Sequence, residues 1–320
     1  MDTSMHSQSA LWPQPEVRSH IVRTTKGPVD VVESGAGWPI LYFHGIGAGN
    51  DIVPIMEHAL VDAGFRLIVP NRPGYYGTPL SCGRTPEDCA HLAAELLDRL
   101  GIERVAVFAT SGGGLAAPTF AARHPARTVA LVLQCALSRP YTSPRWMPRH
   151  LRWLYPLFRY QRVFLPVLRF GFRREMRNLR RNPDRVLNGM CGNRHAEIRD
   201  DPHARDLVAL IAESEIRCAQ QPEGIENDWA NVAGEPWLKP GFVRCPTLIL
   251  HDRADPLVPF AHVEWALRCI PHAEHCDLHA GGHLIWVGKD AERMRKQRTA
   301  FLRRHFGGTR EAEAEGSTVR

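Results

Sequence analysis

A chain of 320 residues, 44% hydrophobic and 23% charged, is long enough to bury a large core without crosslinks. Its formal net charge of +6 is modest, and no recognisable binding module frames its basic residues, so nucleic-acid binding is not expected. The sequence contains no apolar run of the roughly 18 residues that a membrane span needs, and its start lacks the pattern of a secretory signal. We therefore expect no membrane span and a cytoplasmic location, with residues 1–19 forming a flexible N-terminal arm.

The eight cysteines are scattered along the chain and never form a Cys-x-x-Cys pair. Several lie within apolar runs, which predicts reduced, mostly buried thiols and agrees with a cytoplasmic setting. A zinc site needs clustered ligands at short spacings, so no metal site is expected.

Short runs rich in β-branched residues alternate with helical patterns, which is typical of a parallel sheet with helices on both faces. The predicted strands cover 28–34, 39–44, 66–70, 104–109, 128–135, 246–251 and 274–279. The predicted helices cover 86–100, 112–124 and 290–306. We expect a core domain built from 20–136 and 244–306, and a polar, disordered tail from 307 to 320.

The alternation stops between about 137 and 243. A loop of this length is too long for a compact domain, so the segment is expected to form a helical cap subdomain over one edge of the sheet. Its charge is polarised, since residues 138–190 carry 13 Arg against two acids, whereas residues 191–238 carry four Arg against ten acids. The arginines could form a solvated face, pair with the acidic half, or contact an anionic lipid surface.

The cap also carries aromatic residues that suit apolar acyl or alcohol groups of a ligand. The alternative is that they form the cap's own core and its seam against the main domain. These aromatic residues are Trp146, Trp153, Tyr155, Phe158, Tyr160 and Phe164.

Ser111 lies at a small-residue turn between a buried strand and a helix. Its frame, Ala-Thr-Ser-Gly-Gly at 109–113, differs from Gly-x-Ser-x-Gly only in its first residue, and small residues at these positions relieve a strained turn. A serine at a helix start also aims free backbone N–H groups, chiefly that of Gly112, at a developing oxyanion. A phosphate-binding turn or a helix cap would have a similar sequence, although the usual phosphate-binding motifs are absent.

A second glycine-rich segment, 44–49 (HGIGAG), follows the strand at 39–44. A loop of this kind can bring another backbone N–H to the same oxyanion, and we assign that donor to Ile46. By itself the segment could equally be a flexible strand-to-helix connection.

A serine nucleophile needs a base, and the base needs an orienting acid. Asp252 and Asp255 both follow the strand at 246–251. Asp252 directly continues the apolar run, whereas Asp255 precedes Pro256 in a turn that can project it, so Asp255 is preferred as the acid.

Two histidines near the end of the last strand are candidates for the base. His279 lies within the strand pattern, whereas His283 follows Gly281 and Gly282 in a loop, so His283 is preferred. The resulting chain order is Ser, Asp, His.

Five segments together resemble the α/β-hydrolase superfamily, namely HGIGAG, NRPGYYGTP (71–79), ATSGGG, LILHDRADPLVP (248–259) and GGHLIW (281–286). The resemblance covers roughly 28–306 apart from the insertion. It implies an α/β-hydrolase fold, with a mostly parallel doubly wound sheet and a helical cap inserted between the sixth and seventh strands. Ala109 and Asn71 depart from the usual pattern, and a Ser nucleophile argues against the epoxide hydrolase and haloalkane dehalogenase branches.

For a member of this family, the residues imply cofactor-free hydrolysis of carboxylic esters by Ser111, His283 and Asp255, with oxyanion donors at Ile46 and Gly112. The expected partner is a small-molecule ester with apolar groups; the oligomeric state is not indicated. Two alternatives remain. One is carbon–carbon bond hydrolysis or cofactor-free perhydrolysis on the same triad, and the other is a non-catalytic small-molecule receptor.

Overall fold

The computed structural model describes residues 11–141, 183–234, 236–239 and 241–317, with backbone only for 308–317. Eight strands in this part of the chain form one sheet in the order β1-β2-β4-β3-β5-β6-β7-β8. The strands are β1 Val17–Thr24, β2 Gly27–Ser34, β3 Trp38–Phe43, β4 Phe65–Pro70, β5 Val105–Thr110, β6 Thr128–Gln134, β7 Thr247–Asp252 and β8 Glu274–Leu278. β2 pairs antiparallel with β1 and β4, and the remaining pairs are parallel, so the predicted mostly parallel sheet is confirmed.

The central strands lie between two layers of apolar side chains. Every residue of β5, β6 and β7 is buried, which explains why these strands read as continuous apolar runs and not as alternating ones. Their carboxyl ends meet at one edge of the sheet, where the loops that carry the candidate site residues also begin.

The first strand, β1, was not predicted from the sequence. It is a half-exposed edge strand that pairs with β2 alone, and its polar alternation gives no apolar run. Trp12 is only 5% exposed, and its indole N–H donates to the carbonyl oxygen of His203 at 2.8 Å. Of the predicted flexible arm, Trp12 therefore packs against the domain and residues 17–19 belong to β1, whereas residues 1–10 lie outside the described part.

Ten α-helices are described. They are α1 Val53–Met56, α2 His58–Asp62, α3 Pro86–Arg99, α4 Ala117–Arg123, α5 Pro183–Cys191, α6 His195–Ile198, α7 Pro202–Cys218, α8 Glu223–Val232, α9 Ala261–Cys269 and α10 Ala291–Ser317. The predicted start of α3 at Pro86 is confirmed; Thr85 and Asp88 form a reciprocal capping box there. None of the described helices is long and apolar enough to span a membrane.

The last helix extends further than predicted. The predicted helix covers 290–306 and is followed by an expected disordered tail from 307, but the backbone of α10 stays helical to Ser317. Two glycines weaken a helix by about 1 kcal/mol each without terminating it, and the Ala and Glu residues that follow are strong helix formers.

The insertion between β6 and β7 is helical, as predicted, and its described part contains α5 to α8. The predicted aromatic positions of the cap and most of its arginine-rich half fall within 142–182, outside the described residues. All eight cysteines are buried and free of disulfides, as their scattered pattern predicts.

Candidate active site

Ser111 stands directly after β5, at the start of a 3-10 turn formed by Ser111–Leu115. Its φ is +52°, a conformation that non-glycine residues rarely adopt and that costs of order 1–3 kcal/mol. The next glycines permit close packing, since a Cβ on Gly113 or Gly114 would lie 2.0 Å from the carbonyl oxygen of Phe43 or Leu137. The strained turn therefore requires the small residues from which it was predicted.

The glycine-rich loop after β3 lies against this turn. A Cβ built on Gly45 would lie 3.8 Å from Ser111 Oγ, and one built on Gly112 would lie 2.9 Å from the backbone nitrogen of Ile46. The structure thus brings Ser111, Gly112 and Ile46 together, as the sequence analysis expects.

Buried polar contacts brace this loop. His44 Nε2 accepts the backbone N–H of Arg72 at 3.0 Å, and His44 Nδ1 lies 2.9 Å from the carbonyl oxygen of Gly45. Burial and the neighbouring Arg72 hold the pKa of His44 well below its usual range, so its ring is neutral. The guanidinium of Arg72 also donates to the Gly45 carbonyl at 3.0 Å and pairs with Asp228 of α8 at 2.6 Å, and Tyr75 Oη donates to the other oxygen of Asp228 at 2.6 Å. Sequence analysis missed this link between loop and cap.

Asp255 and His283 form a buried hydrogen-bonded pair. His283 Nδ1 lies 2.7 Å from Asp255 Oδ2, and the two residues are 8% and 3% exposed. The other oxygen of Asp255 accepts the backbone N–H groups of Leu257 and Val258, both at 2.8 Å, which fixes the carboxylate. Burial is the largest influence on the pKa of His283 and lowers it, but the charge of Asp255 and the contacts with Asp255 and Cys135 together raise that pKa well above the usual value.

Asp252, the alternative acid, is directed elsewhere. Its side chain accepts the backbone N–H groups of Ala254 at 2.8 Å, Ala280 at 2.9 Å and Gly282 at 3.2 Å. Asp252 therefore fixes the loop that carries His283 and does not contact the imidazole through a hydrogen bond among the described residues.

His279, the alternative base, lies on the surface. Its side chain is 42% exposed, and its Nε2 is 2.8 Å from Glu197 and 3.0 Å from Arg194. Lys289 joins the same exposed cluster at 3.0 Å from Glu197. The structure does not bring His279 to the Ser111 turn.

Cys135 is an unpredicted neighbour of the pair. It follows β6, has a φ of +41°, and its thiol lies against both His283 and the backbone of Ser111. Burial raises the pKa of the Cys135 thiol, which therefore stays neutral. Its sulfur and the polar atoms of Asp255 and His283 lie within 4.8 Å of one another, a spacing that would allow a metal ion. Because the His–Asp hydrogen bond already occupies two of these three groups, a metal ion would have to break that bond. One sequence signal could have indicated this contact: Cys135 ends the predicted strand at 128–135, which follows the strand that leads to Ser111.

A buried network of hydrogen bonds and one ion pair lies next to the Ser111 turn. Thr110, directly before Ser111, shares a hydrogen bond with the hydroxyl of Tyr42, which donates to Glu57 at 2.9 Å. Glu57 forms an ion pair with Arg298 of α10 at 2.5 Å, and both side chains are almost fully buried. Gln134 joins them, donating to Glu57 at 2.7 Å and accepting from Arg298 at 2.7 Å.

Comparisons with known proteins agree with this architecture. An uncharacterized hydrolase of Bacillus subtilis (strain 168), YcgS, is 28% identical over 275 residues, which covers 83% of this chain and 91% of that protein. A poly(3-hydroxyalkanoate) depolymerase of Ectopseudomonas oleovorans is 28% identical over 262 residues, covering 78% and 79% of the two chains. The solved structure of an alpha/beta hydrolase fold protein from Nakamurella multipartita superposes with a TM-score of 0.73 at 30% identity, covering 89% of this chain and 99% of that one.

A model of the family described as alpha/beta hydrolase fold matches residues 39–290, more than half of the chain. The matched segment includes every candidate site residue from Ile46 to His283. The names of the relatives, together with this family match, indicate a hydrolase. The chain belongs to the α/β-hydrolase fold family.

Proposed function

We propose that this protein hydrolyses carboxylic esters through a Ser–His–Asp triad of Ser111, His283 and Asp255. The observation that carries the proposal is the buried 2.7 Å Asp255–His283 hydrogen bond, at the sheet edge where Ser111 occupies its strained turn beside Ile46. A strained, half-buried serine, a paired imidazole and a glycine-rich loop of N–H donors together suit acyl transfer.

In the first half-reaction, Ser111 Oγ attacks the ester carbonyl carbon while His283 accepts its proton. The negative charge moves to the carbonyl oxygen, where the N–H groups of Ile46 and Gly112 stabilise it. Collapse of this intermediate breaks the bond to the alcohol oxygen, which leaves with the proton from His283. Asp255 holds His283 in the tautomer that presents Nε2 and stabilises the imidazolium.

In the second half-reaction, water attacks the acyl-serine and gives its proton to His283. The tetrahedral intermediate collapses, Ser111 Oγ regains the proton, and the carboxylic acid is released. Both steps use only residues of this chain and water, so the proposal includes no cofactor.

The pH dependence of the proposed reaction follows from His283. The base must be neutral to accept a proton, and the charge of Asp255 raises the pKa of His283. Activity is therefore expected to increase with pH through the ionisation of His283, above the range of an ordinary histidine near pH 6.5.

The substrate class is supported by a relative. The Ectopseudomonas oleovorans protein is named for poly(3-hydroxyalkanoate), a polymer whose units are joined by ester bonds. We therefore propose a small ester with apolar groups as the substrate.

The test is hydrolysis of a p-nitrophenyl ester by the wild type, Ser111→Ala and the matched control Ser81→Ala. Ser81 is exposed and lies outside the candidate site. Ser111→Ala is expected to lower kcat by several powers of ten, on the order of 10⁴ to 10⁶, with unchanged thermal unfolding, whereas Ser81→Ala keeps wild-type kcat. A fluorophosphonate probe should label the wild type and Ser81→Ala but not Ser111→Ala.

The alternatives on the same residues give different results in this test. A carbon–carbon bond hydrolase would cleave vinylogous diketones faster than aryl esters, and a perhydrolase would need hydrogen peroxide for its best rate. A non-catalytic receptor would neither hydrolyse the ester nor react with the probe. Retained ester hydrolysis in Ser111→Ala would contradict the triad itself.

A further inference from the structure

A carboxyl group of the cap lies beside the candidate active site. Glu215, on α7, is partly buried and has no hydrogen-bond or ion-pair partner among the described residues. Its Cγ lies 3.9 Å from the position of a Cβ on Gly47. Since Gly47 follows Ile46, this carboxyl group lies against the loop that supplies the proposed oxyanion donor.

The helix that carries Glu215 is fixed to this loop by polar contacts on both sides of it. Ser214 Oγ accepts the backbone N–H of Gly49 at 3.1 Å and donates to Asp51 at 2.7 Å. Arg217 forms an ion pair with Asp51, and Tyr76 Oη donates to the carbonyl oxygen of Ser214 at 3.3 Å. Ser214 and Arg217, on either side of Glu215, are thus engaged by the loop, whereas Glu215 has no such partner in the described part of the chain.

Among the described residues, no ion pair neutralises the negative charge of Glu215. Burial raises the pKa of the Glu215 carboxyl to about 7, whereas the charge of His283 tends to lower it. Cys218, one turn along α7, is the remaining titratable neighbour, because Arg217 is engaged by Asp51. A cation beside the loop at Gly47 would therefore meet a carboxylate that has no competing ion-pair partner among the described residues.

We propose that Glu215 forms a subsite for a positively charged group, such as a substituted ammonium, carried by the substrate next to its ester bond. This inference rests on the proposed function and extends it to cationic esters. The carboxylate would attract the cation electrostatically while the ester carbonyl occupies the site formed by Ser111 and the N–H groups of Ile46 and Gly112.

The test compares two esters of the same shape that differ in charge, 2-(trimethylammonio)ethyl acetate and the neutral 3,3-dimethylbutyl acetate. The quantity measured is the ratio of kcat/KM for the charged ester to kcat/KM for the neutral one. Glu215→Gln is expected to lower this ratio by about 10- to 100-fold relative to the wild type, as for other contacts to a buried charge. Glu213→Gln, on the same helix, is the matched control and should keep the wild-type ratio.

The pH dependence of the same ratio separates Glu215 from the catalytic base. His283 serves both esters, and a quaternary ammonium does not titrate, so protonation of His283 cancels in the ratio. As pH rises through about 7, Glu215 loses its proton and the wild-type ratio should increase. In Glu215→Gln the ratio should stay constant over the same pH range.

Calorimetry gives a readout that does not need turnover. With Ser111→Ala as the host, the charged ester should bind and release protons near pH 7, because the cation favours the ionised form of Glu215. The double variant Ser111→Ala/Glu215→Gln should bind it at least about tenfold more weakly.

The outcomes distinguish the two proposals. If the wild type hydrolyses both esters with a ratio that neither Glu215→Gln nor pH changes, the cation subsite is wrong and ester hydrolysis stands. If the wild type hydrolyses neither these esters nor the p-nitrophenyl ester, the proposed function is wrong, and the calorimetric comparison still decides the subsite. Equal binding to the single and double variants would overturn it.

Discussion

The roles of Asp255 and Asp252 can be separated by one pair of isosteric substitutions. Asp255 accepts the Nδ1 proton of His283 at 2.7 Å, whereas Asp252 accepts three backbone N–H groups in the loops around it. Asp255→Asn replaces an acceptor by an amide that can favour the wrong imidazole tautomer, and it removes the charge that stabilises the imidazolium. Asp252→Asn leaves the imidazole contact intact but weakens the support of its loop.

Asp255→Asn is expected to lower kcat, whereas Asp252→Asn is expected mainly to lower the stability of the protein. Asp255→Asn should lower kcat for an aryl ester by about 10⁴-fold, which corresponds to about 5 kcal/mol of transition-state stabilisation. In Asp252→Asn, at least one buried N–H group loses its acceptor and the ion pair with Arg194 (Nε to Oδ2, 3.2 Å) is lost, at a cost of about 1–3 kcal/mol in the free energy of unfolding. Its kcat should fall by no more than about tenfold, because the catalytic contact is not changed directly.

Steady-state kinetics and urea unfolding of both variants provide the measurement. The pH profile of kcat provides a second test. Because loss of the Asp255 charge lowers the pKa of His283, the residual activity of Asp255→Asn should begin at lower pH than that of the wild type. The assignment of Asp255 would be refuted if Asp252→Asn lost as much kcat as Asp255→Asn while both proteins remained folded. It would also be refuted if the pH profile of Asp255→Asn moved to higher pH.

Two further predictions concern buried ion pairs. Glu57→Gln leaves Arg298 buried without its counter-ion and should lower the free energy of unfolding by about 3–5 kcal/mol in urea, whereas Glu292→Gln, at a side chain that is 63% exposed, should change it by less than about 1 kcal/mol. Asp228→Asn leaves Arg72 without its buried partner and should cost a similar 3–5 kcal/mol, with a fall in kcat as well because Arg72 also contacts the oxyanion loop. Equal unfolding midpoints for Glu57→Gln and Glu292→Gln, or an unchanged kcat in Asp228→Asn, would contradict these two expectations.

The sheet was predictable because each central strand carries its own signal. β5, β6 and β7 are buried on both faces, so their sequences are continuous apolar runs bounded by turns. The edge strand β1 has no such run, because half of it faces solvent and only β2 pairs with it. Local pattern therefore identified the centre of the sheet and missed its edge.

Within the site, contacts between residues close in the sequence were predictable, whereas contacts between distant residues were not. The Ser111 turn and the glycine loop are local backbone features, which sequence can encode through glycine and small residues. The choice of Asp255 relied on a local argument too, since Pro256 and the turn distinguish it from Asp252. By contrast, the pair formed by Arg72 and Asp228 joins residues 156 positions apart, and no local pattern at either position indicates the other.

The contacts between the cap and the site could not be predicted from the sequence, because they join residues far apart in the chain, yet they act directly on the site. Asp228 holds Arg72, and Arg72 donates to the carbonyl of Gly45, so the position of the Ile46 N–H depends on a cap helix. Glu215 lies on a neighbouring cap helix that is tied to the next residues of that loop through Ser214.

The position of the cap thus affects two features at once, the proposed oxyanion donor at Ile46 and the Glu215 side chain near Gly47. A substrate group that binds the cap can therefore change the geometry of the reacting carbonyl as well as the affinity. For this reason substitutions in α7 and α8 are expected to alter kcat together with KM, whereas a cap that served only as a wall of the pocket would affect KM alone.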